Sequence, residues 1–346
     1  MPSSLTQRER QVLEAVIETY VQTAEPAASK TIARRSGLGL SPASIRHTMS
    51  DLEQQGFLFH PHASAGAIPT DRAYRVYVDA LMRPSAVEQA EAHQLREQLG
   101  GTRATVETIL ARAAKVLGVL TRELGVAVGP SLDDAVVDRL ELIPVASDRL
   151  LLVLALRSGA ARTIFVELPT VMAAAALVQV AVVLNERLAG LRLREIRATL
   201  SDRLRDAAAA PGSRELINIF IQEADELFDG ANAAPDTSGV LLGSTQPLAG
   251  QPEFSTTAGL QGLMAVTERR DLLREALQAR KEDGITITIG SEHQDPRFAT
   301  FTLVTSSYRS GPLCGVIGIL GPTRMPYDKV VALVDHTSRL VGELLG

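Results

Sequence analysis

Three observations predict a multidomain α+β chain. Its 346 residues exceed what one compact core ordinarily holds, so two or three domains are expected. Residues 29–82 order as helix, turn, helix, β-hairpin, helix. Downstream, a contiguous group of strands and its helices falls between the members of a second, split group of strands, the order produced when one α+β domain is inserted into another.

The elements follow in order. Thr6 to Thr23 carries Val12, Leu13, Val16, Ile17, Tyr20 and Val21 against a polar face, which predicts a scaffold helix. Ser29 to Ser36 predicts a second, short helix, and Gly37 and Gly39 supply a turn. Ser41 is a good N-cap with Pro42 at the first helical position, where its missing N–H costs nothing. From that start Ile45, Met49 and Leu52 recur at helical spacing and face a core, leaving Ala43, Arg46, His47, Ser50 and Gln54 outward. Phe57 to Phe59 begins a strand, HPHASAGAIP is a turn-rich loop with a returning segment at Ile68, and Thr70 to Met82 closes the unit as a helix. This is the layout of a winged helix-turn-helix, in which the outward face of the third helix reads bases.

Ala86 to Leu99 and Thr105 to Leu124 predict two joining helices. Val136 to Leu142, Leu150 to Leu156 and Thr163 to Leu168 are apolar runs joined by PVASD and RSGAA, as in an antiparallel meander, followed by helices over 171–188, 192–200 and 213–228. The split group comprises Gly125 to Val128, Val240 to Leu242, Ile285 to Ile289, Thr300 to Thr305 and Val316 to Leu320, with helices at 256–280 and from Lys329 to Leu345.

Composition narrows the function classes. A hydrophobic fraction of 45% and charged fraction of 22% are those of a soluble globular protein. MPSSLTQRERQVLEAVIETY places charges where a signal peptide needs an apolar core, so a cytoplasmic location is expected. The most apolar stretch, 171–184, is too short to span a bilayer comfortably and reads as core or subunit interface. A lone cysteine, Cys314, permits neither an internal disulfide nor a cysteine-rich zinc site. Net charge is −5, but residues 29–83 sum to +3 and the remainder to −8. A modest basic patch on an acidic protein would bind nucleic acid through geometry, helix N-termini and dimeric avidity more than through bulk charge.

Arg46 is placed to read guanine bidentately, with a solvated helix charge as the bland alternative; its position after a capped turn favours DNA. Lys30, Arg34 and Arg35 of the second helix fit phosphate contacts, since the first helix of such a pair crosses the backbone. Arg72 and Arg75 either follow the wing onto DNA or pair with Asp71 and Asp79, and the sequence leaves both readings open. His60, His62 and Ser64 bring a base and a hydroxyl together, yet no orienting group or oxyanion site accompanies them, so no catalytic residue, metal or cofactor is expected. Cys314 with His293 and His336 follows no ligand spacing, and GPTRMPY at 321–327 reads as a structural turn before an anion-binding loop.

The chain resembles the heat-inducible transcription repressor family (HrcA) from end to end. The resemblance is carried by EPAASK (25–30), SPASIRHTMSDLEQQGFL (41–58), PHASAGAIPTDRAYRVYVD (61–79), LTRELGVAVGP (120–130), LNERLAGLRLREIR (184–197), PEF (252–254) and GVIGILGPTRMPYDKVV (315–331). It implies a repressor of GroEL/GroES- and DnaK-type chaperone operons that binds as a homodimer to an inverted-repeat (CIRCE) operator, is kept active by a GroEL-type chaperonin and is relieved on heat stress. It also implies a DNA-contact role for Ser44, Arg46, His47 and Ser50 of the third helix and His62, Ser64 and Gly66 of the wing.

The implied domains are a winged helix-turn-helix over 1–84, linker helices and the first part of a GAF-like domain over 85–131, an inserted dimerisation domain over 132–235, and the rest of the GAF-like domain over 236–346. Two departures bear on operator choice: Ala67 stands where the family shows a basic wing residue, and His47 where it shows Asn, which alone of the two pairs bidentately with adenine. The competing expectation is a small-molecule-sensing regulator acting through the GAF-like domain.

Overall fold

The computed structural model describes residues 5–62, 65–83, 85–100, 106–129, 132, 135–157, 161–169, 172–207, 211–228, 239–278, 284–310 and 313–345. The chain is α+β and divides into two compact units: residues 1–128, 240–308 and 316–344 form one, and residues 129–239, 309–315 and 345–346 the other.

The first unit starts with α1 (Gln7–Thr23), whose N-terminus is closed by a capping box between Thr6 and Glu9. Then come α2 (Ser29–Arg35), α3 (Pro42–Gln54), a hairpin of β1 (Leu58–Phe59) and β2 (Ile68–Pro69), and α4 (Asp71–Val76). The helix expected over 70–82 thus ends early as an α-helix, and Tyr77–Leu81 continue it as a wider π turn. Val12, Val16, Ile17, Ile32, Ile45, Leu52 and Tyr74 are fully buried here, as the helical periodicity requires.

In the same unit follow α5 (Gln89–Leu99), α6 (Val106–Thr121) and β3 (Leu124–Val128). The strand starts where a helix was expected to continue, because Arg122 adopts a left-handed backbone (φ 62°) that turns the chain.

The second unit holds the meander β4 (Val137–Ala146), β5 (Arg149–Leu156) and β6 (Ala161–Glu167), antiparallel in that spatial order. Its first turn is only Ser147 and Asp148, since Pro144 to Ala146 stay paired with β5, with a register shift at Pro144 to Ala146. Helices α7 (Ala174–Leu188), α8 (Leu193–Leu204), α9 (Pro211–Gln222) and the single turn α10 (Ala224–Leu227) pack on it around Leu150, Leu152, Leu154, Val180, Leu184 and Phe220.

The chain returns to the first unit with β7 (Val240–Leu242), α11 (Gln246–Ala249), a 3-10 turn at Pro252–Phe254, α12 (Thr257–Glu268) and α13 (Arg270–Gln278). Next are β8 (Ile285–Ile289), β9 (Phe301–Ser310), β10 (Leu313–Pro322) and α14 (Tyr327–Leu345). The five strands order β7-β3-β10-β9-β8. Strands separated by more than a hundred residues are therefore neighbours, and β8 is left at an edge. Among the described residues no helix is long and apolar enough to cross a membrane.

Candidate nucleic-acid interface

The third helix is built to present its N-terminal half. Ser41 accepts the Ser44 N–H at 3.1 Å, and Ile45, Thr48, Met49 and Leu52 turn inward. Arg46, His47 and Ser50 remain exposed. Ser44 is half-buried: its hydroxyl meets the Ser41 hydroxyl at 3.1 Å, and its carbonyl accepts from Arg8 of α1 at 3.0 Å. The His47 ring, 79% exposed, stands 3.9 Å from Asp51 one turn on.

A groove of about 750 Å³ runs between α3 and the hairpin and is lined by Lys30, Arg46, Ser50, Glu53, His60, His62 and Gly66 among others. Five of the residues named from sequence, Lys30, Arg46, Ser50, His62 and Gly66, therefore share one surface feature. Arg34 and Arg35 are exposed on α2 outside that lining, as is His47 on α3. Ser64 lies outside the described residues.

Sequence reasoning missed Glu53. It accepts from His60 Nδ1 at 2.8 Å and so ties the last turn of α3 to the hairpin. The helical spacing of Arg46, Ser50 and Glu53 already placed all three on one face.

The hairpin is fixed from beneath. Ala27 and Ala67 exchange both main-chain hydrogen bonds, at 2.8 and 3.0 Å. Ala67 is fully buried at that bridge, so its side chain does not reach the groove surface. Gly66 has a structural reason to be glycine: a Cβ there would fall 2.4 Å from the Pro26 carbonyl oxygen.

Of the two arginines the sequence left open, Arg75 takes the pairing with Asp79, whereas Arg72 takes partners that neither reading named. Arg72 donates to the Gln55 carbonyl at 2.8 Å and lies 4.5 Å over the Phe57 ring, closing the end of α3. Arg75 pairs with Asp79 at 3.2 Å and with Glu292 at 2.5 and 2.7 Å, and donates to the Ile287 carbonyl at 2.7 Å. The Glu292 and Asp79 carboxylates hold its guanidinium firmly charged. Arg324, in the GPTRM segment, is 13% exposed in its side chain and forms two bonds with Glu253 at 2.5 and 3.0 Å plus one to the Val21 carbonyl at 2.8 Å. That segment is a structural connection, as its sequence suggested.

Comparison with known proteins places this geometry. Residues 107–331 match the family model described as the HrcA protein C-terminal domain. A heat-inducible transcription repressor HrcA of Chlorobium phaeovibrioides is 37% identical, covering 96% of this chain and 95% of its own. The same repressor of Chlorobaculum tepidum is 37% identical over 99% of this chain and 98% of its own. A crystal structure of a hypothetical protein superposes with a TM-score of 0.62 at 21% identity, covering 99% of both chains, and shares the fold. With residues 107–331 matched by the family model and nearly its whole length matched by these relatives, the chain belongs to the HrcA family of heat-inducible transcription repressors.

Proposed function

We propose that this repressor of heat-inducible transcription acts as a homodimer on an inverted-repeat operator of CIRCE type upstream of chaperone operons, without catalysis or a cofactor, in the cytoplasm. The observation that carries the reading is the groove between α3 and the hairpin, where a capped helix presents Arg46 and Ser50 beside Lys30 and His62. Residues 1–84 then act as a winged helix-turn-helix, the five-stranded sheet and its helices as a GAF-like domain, and the inserted meander with its helices as the dimerisation domain. Arg46 and His47 would meet base edges, and Lys30, Arg34 and Arg35 phosphates.

Exposed apolar side chains of the inserted unit support two-fold pairing, with Ile143, Val178 and Val182 lining one groove. Val178 and Val182 of α7 are 64% and 51% exposed, Ile143 and Val145 of β4 43% and 55%, and Phe165 63%. An isologous interface on this face presents two copies of α3 to two half-sites related by the same axis. Occupancy of the promoter excludes polymerase. A GroEL-type chaperonin sustains the active dimer, and heat diverts it to unfolded clients.

The test is anisotropy with an inverted-repeat duplex and a scrambled duplex of equal length at stated salt. Tight binding to the repeat alone, at two chains per duplex, supports the reading.

One observation favours a second reading, control by a small molecule. A cavity of about 910 Å³ between α13 and β8 is lined by Thr286, Thr288, Glu292 and His293, and Glu292 is the partner of Arg75 on α4. Melting shifts with a metabolite library and no chaperonin dependence would support it.

A further inference from the structure

Among the described residues, two arginine-centred clusters join the segment that carries α1 to α4 to the sheet of its unit. On one side Arg75 of α4 grips both oxygens of Glu292, at 2.7 and 2.5 Å, and the carbonyl of Ile287 on the edge strand β8. Beside it Asp71, in the first turn of α4, accepts the Ser291 N–H at 2.8 Å. The loop is shaped to admit that carboxylate: Gly290 takes a φ of 50°, and a Cβ on it would lie 2.3 Å from Asp71 Oδ2.

On the other side the direction is reversed. Arg324 belongs to the sheet's own loops and reaches the Val21 carbonyl in the last turn of α1, where the helix leaves its carbonyls unpaired and partly negative. It is held there by both oxygens of Glu253. Gln251 continues the chain of contacts, donating to Glu123 at 2.9 Å and to the Arg122 carbonyl at 3.0 Å. Between the two clamps the rings of Tyr74 and Tyr327 lie 5.7 Å apart.

We infer that Arg75 and Arg324 are positioning residues for operator recognition: together they hold the reading segment at one angle on the sheet of its own unit, and so narrow the range of half-site spacings the dimer accepts. The inference rests on the dimeric-repressor reading above. A single contact point leaves a pivot, whereas two separated ones leave none: the bidentate Arg75–Glu292 pair on one side, and on the other the bond from Arg324, itself held by Glu253, to the Val21 carbonyl. A dimer gains from its second half-site only where the two readers are held in register with the DNA helix. Half-sites recur at about 10 base pairs per turn, so a two-base-pair change of spacer turns one half-site by roughly 70°, beyond the reach of a reader that cannot swivel.

The test uses the full-length protein. Wild type first selects a duplex from a random-sequence inverted-repeat library. Affinities of wild type, Arg75→Gln, Glu292→Gln, Arg324→Gln and Arg324→Lys are then measured for that duplex, for versions with the spacer changed by two base pairs, and for a single half-site.

Wild type should reject altered spacers by at least about tenfold. The Gln variants should cut that discrimination to about threefold or less and leave half-site affinity within about twofold, with Arg324→Lys intermediate. Since Arg324 is buried enough that its variant could fail to fold, the half-exposed Arg75–Glu292 pair carries the same test independently. Spin labels at Gln54 and Glu268 of DNA-free protein lacking Cys314 should show a broader distance distribution in Glu292→Gln. Variants that keep full spacing discrimination, or that lose half-site and full-operator binding equally, overturn the inference. A wild type that selects no inverted repeat overturns the operator reading, and the inference with it.

Discussion

Arg46 and Glu123 show how differently single residues register in a sequence. Arg46 stands on the exposed face of a capped helix and lines the groove. Under the proposed function, Arg46→Ala should cost about 1–3 kcal/mol of operator binding and relax preference at one base pair, as an anisotropy titration against single-base operator variants would show. Glu123 is only 2% exposed, and burial pushes its carboxyl up from 4.5 to about 8, against the opposing pull of the Gln251 N–H and Arg324. It is therefore neutral in the folded protein at pH 7 and ionised once unfolded. Its contribution to stability is full below about pH 4.5 and is lost as pH rises towards 8, at roughly 1.4 kcal/mol per pH unit. Glu123→Gln should remove that slope, so urea midpoints of wild type and variant should diverge in the variant's favour between pH 5.5 and 8; parallel profiles would contradict this. The outward face of α3 was legible from Ile45, Met49 and Leu52 alone. The burial of Glu123 and Ala67 and the pairing of Arg75 with Glu292 were not, because each depends on a partner distant in the chain, namely Gln251, Ala27 and Glu292.

At the scale of elements, α7 is apolar nearly all round but only half covered. Leu177, Val180, Leu184 and Leu188 enter the core, while Val178 and Val182 stay out. A helix of this composition ordinarily buries every face, so the open side is an interface in the proposed dimer. Asn185 on the same helix pairs both the N–H and the carbonyl of Leu140, at 2.9 and 2.7 Å, and so covers part of the edge strand β4. Val178→Glu should leave the fold intact, since that side chain touches water already, yet yield a monomer by light scattering with operator affinity reduced about a hundredfold or more. A monomer with undiminished affinity would sink the dimer account. The hairpin gives a second case: Gly66→Ala brings a Cβ onto the Pro26 carbonyl and should destabilise the protein by about 1–3 kcal/mol in urea melts. The strands and most helices were legible because apolar periodicity sets them. The π turn at Tyr77–Leu81 and the early start of β3 were not, because they depend on backbone turns that side-chain pattern does not encode.

For the whole molecule, an acidic chain must bind an acidic ligand, and the locally basic reading segment lessens the repulsion where the contact is made. Under the proposed function, Lys30, Arg34, Arg35 and Arg46 from two protomers would give up to about eight phosphate or base contacts, so log affinity should fall with log salt at a slope of about −4 to −7. Arg34→Ala should lessen the slope by about 2, one contact in each protomer. In the proposed dimer, heat control needs only marginal stability of the active state, since one or two kcal/mol shifts the active fraction several-fold. The inserted order of the two units was readable from the split strands; the pairing of β3 with both β7 and β10 was not, because it joins residues more than a hundred positions apart. The most direct measurement remains equilibrium binding of the purified protein to an inverted-repeat duplex against a scrambled duplex at fixed salt. The account predicts affinity at least about a thousandfold higher for the repeat, at two chains per duplex; equal affinity for both duplexes would contradict it.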